Sequence, residues 1–262
     1  MDINLTGKRA LVCGSTKGIG KAAAEELAAL GCSVTLVARN EEVLKQAASG
    51  LSVAAGQSHG YIVADFSDPQ SLNKKIEAYL AVASPVHILI NNTGGPKGGP
   101  IIDARLDEFT GTFAQHLLCN HVLVQALVPG MKKERYGRII NIISTSVKEP
   151  IVNLGVSNTV RSAVAGWAKT LAIELGSFGI TVNNILPGAT KTTRNDQVIR
   201  ERAERMGKTV EEVTQAKIAE VPAGRFAEPA EIAYAIAFLA SPAASYINGV
   251  SLPVDGGRAT SF

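Results

Sequence analysis

The segment ALVCGSTKGIG, residues 10–20, carries glycines at 14, 18 and 20. It reads as a strand, a tight turn and the start of a helix. Gly14 permits the turn. Gly18 and Gly20 let backbone and helix approach a pyrophosphate at a helix N-terminus. The loop Gly14, Ser15, Thr16, Lys17, Gly18, Ile19 and Gly20 is therefore a candidate phosphate cradle, with a ligand-free turn as the plain alternative. Its spacing is G-x-x-x-G-x-G rather than G-x-G-x-x-G. A second strand ends in Ala38-Arg39, where an NAD site normally places an acid for the ribose 2′-hydroxyl. Arg39 and Lys17 are instead two bases that could grip a 2′-phosphate, which favours NADPH over NADH.

Three later turns could complete such a site. Asp65, with Phe66 in ADFSD (64–68), could hydrogen-bond an adenine. Its alternative role is a turn or N-cap residue before a helix at Pro69. In NNTGG (91–95), Asn91, Thr93 and Gly94 suit a turn where backbone must approach a ligand. In ILPGATKT (185–192), Pro187 and Gly188 would turn the chain over a nicotinamide, with Thr190 beside them.

These turns need rigid elements. Apolar runs at 10–13, 33–38, 61–64, 87–90, 138–143, 180–186 and 250–254 are rich in Val and Ile and mostly lack alternation. That pattern fits strands covered on both faces. Helical patterns lie between them, such as 20–30, 71–83 and 162–176. Alternating strands and helices mean a parallel sheet with right-handed crossovers. Lys132-Lys133-Glu134-Arg135 reads as a solvated helix end before a turn at Gly137. The charged stretch 191–220 reads as a solvated helical pair or as a mobile cover over the strand ends.

Composition narrows the class. The 262 residues are 46% hydrophobic and 19% charged, enough for a large core. A net charge of +3 with scattered bases leaves no nucleic-acid footprint. Cys13, Cys32 and Cys119 have no metal spacing and read as reduced core thiols of a cytoplasmic protein. MDINLTGKRA is not a secretory signal, and the apolar runs are too short to span a bilayer.

GSTKGIG, NNTG, the IINIIS segment ending at Ser144, LPGATKT and the terminal LPVDGG follow one another in a familiar order and spacing. In this the chain resembles the short-chain dehydrogenase/reductase superfamily over nearly its whole length. Helix and tail details look most like the β-ketoacyl-acyl-carrier-protein reductase branch. The resemblance implies an α/β fold, a Rossmann-type doubly wound seven-stranded parallel sheet, with residues 1–262 as a single domain. It implies NADP(H) as cofactor, a small carbonyl substrate, and a homo-oligomer, a tetramer or dimer, built through two long helices. Ala163, Ala165, Gly166 and Ala168 would suit such an interface, or close packing on the sheet.

The family's active site is usually an Asn, a Ser, and a Tyr-x-x-x-Lys pair on one helix face. Counted from the RII strand, Ser144 falls on the family serine, Ser157 on the tyrosine and Arg161 on the lysine. Counting along the preceding helix places His116 at the Asn, with Asn120 one turn away. A serine hydroxyl is a far weaker acid than a phenol of pKa about 10. Arg161 stays charged, so it is a poor proton shuttle, but it can stabilise an oxyanion or fork a carboxylate. Two proton donors are available. Lys148, in STSVKEP, would border the substrate, or sit exposed beside Glu149. His116 titrates near neutrality when unperturbed, or serves only as a hydrogen-bonded helix residue. The expected function is an NADPH-dependent carbonyl reductase with an altered proton relay. A non-catalytic NADP-binding protein, and different chemistry on the same scaffold, are the alternatives.

Overall fold

The apolar runs become the strands of one sheet in the computed structural model, which describes residues 1–83 and 85–261. They are β1 (Arg9–Cys13), β2 (Ser33–Ala38), β3 (Gly60–Val63), β4 (Ile88–Asn91), β5 (Gly137–Ile142), β6 (Ile180–Pro187) and β7 (Ser251–Val254). The helices are α1 (Gly18–Ala29), α2 (Glu41–Ser49), α3 (Pro69–Leu80), α4 (Leu106–Phe113), α5 (Cys119–Glu134), α6 (Gly155–Leu175), α7 (Thr193–Met206), α8 (Val210–Ala219) and α9 (Pro229–Ala240). The seven strands lie in the order β3-β2-β1-β4-β5-β6-β7, all paired in parallel.

The strands read as apolar runs because each side of the sheet has its own core. Ala10, Val12 and Ile140 face one side with residues of α1 and α9. Leu11, Cys13 and Ile139 face the other with residues of α3, α5 and α6. The three cysteines are free and buried, and burial raises their thiol pKa values, which keeps them unreactive. Ala165 and Ala168 pack inward, whereas Gly166 is exposed. Among the described residues no helix is long and apolar enough to cross a membrane.

Two expectations about turns change. The left-handed residue after α5 is Arg135, at φ 49°, and Gly137 instead begins β5. A Cβ on Gly137 would lie 2.8 Å from Ile180, so close strand packing explains that glycine. The cap of α3 is Asp68, not Asp65: its carboxylate accepts the amides of Gln70 and Ser71, with Pro69 at the first helical position. The charged stretch 191–220 forms the helical pair α7 and α8, seated through Ile199, Ala203, Val213 and Phe226.

A line of amides crosses the sheet. The Asn91 amide donates to Asn141 Oδ1 at 2.8 Å, Asn141 to Asn184 Oδ1 at 3.0 Å, and Asn184 to Ser251 Oγ at 3.1 Å. Strand register pairs these same residues. Buried amides must be matched, so the line favours one register. Replacing Asn141→Ala strands one buried donor and one buried acceptor. Each costs about 1–3 kcal/mol, so we expect a loss of about 2–6 kcal/mol, read as a lower urea midpoint. An unchanged midpoint would mean the line contributes nothing.

Candidate active site

Strand order reverses between β1 and β4, and the crevice there opens at the strand ends. Gly14 and Gly18 hold φ of 57° and 55°, a region that favours glycine. A Cβ on Gly14 would lie 2.6 Å from the Asn92 carbonyl oxygen, and one on Gly20 would collide with the Gly14 carbonyl. No side chain caps the start of α1, so its first amides are available to an anion. Ser15 is buried and donates to the Val37 carbonyl, and Ile19 packs into the core, so these two side chains support the loop. Thr16 is half-buried on the turn, and Lys17 is exposed.

Lys17 and Arg39 have no ion-pair partner among the described residues. Asp65 is exposed and accepts the Ser67 amide at 2.9 Å. That bond leads in holding its pKa below the usual range, and Arg39 contributes. Phe66 is a core side chain, and its carbonyl accepts a hydrogen bond from the Cys119 thiol.

The β4 turn reverses the roles of its asparagines. Asn91 is 2% exposed and belongs to the amide line inside the sheet. Asn92 closes the cradle instead, its amide donating to the carbonyls of Cys13 at 3.3 Å and Gly14 at 3.2 Å. Thr93 and Gly94 are tied to His116. The Gly94 carbonyl can only accept, so His116 Nε2 donates to it, at 3.1 Å. His116 Nδ1 therefore accepts the Thr93 hydroxyl at 2.7 Å. His116 lies in a π-helical turn, Ala114–Leu118, between α4 and α5. Burial, aided by Arg161, pushes its pKa down to about 3. This corrects the expectation that it titrates near neutrality: it is neutral, and both its nitrogens are engaged.

The end of β5 carries the remaining groups. Ser144 caps a short 3-10 turn, Thr145–Val147, its Oγ accepting the Ser146 amide at 3.1 Å. Arg161 Nη1 donates to the carbonyls of Ile142 at 3.1 Å and Ile143 at 2.8 Å, and Nε donates to Ser157 Oγ at 3.2 Å. Ser144 and Ser157 thus accept through oxygen and keep their own O–H groups to donate. Lys148 closes the 3-10 turn, half-buried. Glu149 does not pair with it, because its carboxylate takes the amides of Thr260 and Ser261 and the Thr260 hydroxyl.

The β6 end closes over the glycine loop. The Gly188 amide donates to Val254, and a Cβ on Gly188 would lie 2.6 Å from Asp255 Cα. Pro187 is the last strand residue, and Thr190 is buried with its hydroxyl on the Gly188 carbonyl. Thr192, which caps α7, sits 3.1 Å from the position a Cβ would take on Gly18. Arg194 donates to the Pro96 carbonyl. Asn92, Thr192 and Arg194 are site residues that motif reading passed over. The motifs contained or adjoined them, but only the closed fold shows their contacts.

The family described as enoyl-(acyl carrier protein) reductase matches residues 14–259. The chain is 36% identical over 257 residues to 3-oxoacyl-[acyl-carrier-protein] reductase FabG of Vibrio cholerae, covering 97% of this chain and 98% of that one. The chain belongs to the short-chain dehydrogenase/reductase superfamily. Within this superfamily it sits with the 3-oxoacyl-acyl-carrier-protein reductase branch. L-sorbose reductase from Gluconobacter frateurii, solved with NADPH and L-sorbose, superposes at TM-score 0.93 with 31% identity over the full length of both chains. A 3-oxoacyl (acyl-carrier-protein) reductase from Agrobacterium tumefaciens with NADP bound superposes at 0.86 with 25% identity, over 97% of this chain and 95% of that one.

His116 gives this short-chain dehydrogenase/reductase a titration signature. Its folded pKa of about 3 lies below the unfolded value of about 6.5. The unfolded state therefore takes the proton first as pH falls, so the contribution of His116 is full above about 6.5 and lost on acidification toward about 3. NMR of the ring, assigned by loss of its signal in His116→Gln, should show a fixed neutral tautomer from pH 8 to about 5. A midpoint near 6.5 would refute the buried assignment.

Proposed function

We propose that this chain is an NADPH-dependent carbonyl reductase whose proton relay is rebuilt around Ser157 and Arg161. The carrying observation is the cofactor cradle: Asn92 and Thr192 close the glycine loop, Lys17 lies in that loop and Arg39 just after β2, and among the described residues neither base has an ion-pair partner. The relatives named above support the same reading. Uncapped amides of α1 suit a pyrophosphate, and the two cations suit a 2′-phosphate. Bound NADPH supplies the hydride. Every other role falls to side chains of this chain.

In this reading Ser157 and Arg161 occupy the tyrosine and lysine positions of the family. The hydroxyls of Ser144 and Ser157 donate hydrogen bonds that polarise the carbonyl oxygen. Arg161, half-buried and charged, stabilises the alkoxide that forms. The proton itself comes from Lys148, which has no ion-pair partner among the described residues. His116 holds the Thr93-Gly94 backbone in place rather than moving a proton.

Nicotinamide fluorescence titrations test the cofactor. NADPH should bind at least about tenfold tighter than NADH, and Lys17→Ala with Arg39→Ala should abolish the difference. Equal affinity for both cofactors in the unmodified protein would refute the 2′-phosphate grip. Turnover tests the relay. General acid catalysis is worth about 10²–10⁴ in rate. Ser157→Tyr with Arg161→Lys should raise the rate on a small β-keto ester at least about tenfold, and Lys148→Ala should slow the native protein but not this double variant. NADPH binding with no consumption across a carbonyl panel would favour a non-catalytic sensor instead.

A further inference from the structure

Arg161 and Arg194 converge on one place, and no acid answers them. The position that a Cβ would take on Gly95 is 3.6 Å from Arg161 Nη2 and 3.7 Å from Arg194 Nη2. Gly95 carries no side chain, and a Cβ there would be in ordinary van der Waals contact with both guanidinium groups, so both border the same point. Both arginines are half-buried. Among the described residues neither has a carboxylate within ion-pair distance.

Their donors are only partly used. Arg161 spends Nε on Ser157 and Nη1 on two carbonyls, and its Nη2 has no acceptor among the described residues. Arg194 uses Nη2 on Pro96, and its Nε and Nη1 have none there. Desolvation and the charge of Arg194 bring the Arg161 pKa down to about 10, so it remains a cation at neutral pH. Two like charges this close repel each other in a partly dry site, and an anion between them would offset that repulsion.

We infer that Arg161 and Arg194 together bind the compact oxyanion group of a small carbonyl substrate, a carboxylate or a phosphate monoester. The planar forks offer paired N–H groups that match such an anion, and a neutral ketone would leave them unmatched. Arg161 also touches Ser157, which places the anion beside the hydroxyls assigned to the carbonyl. The inference rests on the reductase reading for the reacting carbonyl and adds the charge of the substrate. It sets Arg194, on the first turn of α7, as a specificity residue outside the cofactor cradle.

Calorimetry on the NADP⁺ complex tests this with two matched pairs. The first is acetoacetate against methyl acetoacetate. The second is dihydroxyacetone phosphate against dihydroxyacetone. In at least one pair the anion should bind about tenfold tighter or more than its neutral partner, and the pair that responds identifies the anion. Arg194→Gln should remove the preference and leave NADPH affinity unchanged. Arg194→Lys, which keeps the charge but not the fork, should retain part of it. Equal binding within both pairs, or no binding in either, would overturn the inference. So would a preference that survives in Arg194→Gln, or a loss of NADPH affinity there. Because the readout is binding, an anion held through both arginines but never reduced would defeat the reductase reading alone.

Discussion

The guanidinium of Arg161 is the constraint around which the site is arranged. A half-buried charge that keeps its proton at neutral pH must find acceptors. It finds them at the end of β5, where the carbonyls of Ile142 and Ile143 lie as the strand leaves the sheet. This fastens α6 to the sheet one residue before Ser144. It also fixes Ser157, four residues earlier on the same helix face, through Nε. The two residues suit each other: a small serine leaves room for a wide fork, and the fork holds the serine hydroxyl in place. A lysine, with one nitrogen, could not reach two carbonyls and a hydroxyl in this planar arrangement.

The second half of the site depends on close backbone contact. Gly20 packs on Gly14, Gly14 on Asn92, and Gly18 on Thr192. Three strand ends therefore meet at the mouth of the crevice, with only the side chains of Asn92 and Thr192 set against the glycines. Thr192 also caps α7, and Arg194 two residues later reaches the β4 loop. The same short stretch thus touches the cofactor cradle at one end and the charged spot by Gly95 at the other.

The strands were legible in the sequence because burial on both faces writes continuous apolar runs. The loops were legible because glycine and turn chemistry sit at fixed offsets from those runs. What stayed hidden depends on geometry that crosses the chain. Asn91 and Asn92 look alike in sequence, and only the end of β4 decides that one faces the sheet and the other the cradle. Phe66 looks like a loop residue until α5 covers it. The π turn that buries His116, and the burial that keeps it neutral, have no sequence signal. Arg194 meets the β4 loop across 98 residues and lies in a stretch whose charges are mostly solvated. Solvated helical charge describes most of its neighbours but not this arginine, nor Lys217, which is half-buried on Asn195.

These charges also separate two tasks that the family usually combines. In a Tyr-x-x-x-Lys pair, one cation both lowers the acid's pKa and supports the nicotinamide ribose. Here the cation has become permanent, since Arg161 holds its proton up to about 10. The nearby imidazole has become permanently neutral, since His116 would need a pH near 3 to charge. Neither group changes state across the neutral range. In the proposed reading the field that these two groups set at the carbonyl is therefore constant, and any pH dependence of turnover comes from a different group or from the substrate. A fixed positive field favours alkoxide formation at all working pH values. In the proposed reading it leaves proton delivery as a separate step, which falls to Lys148.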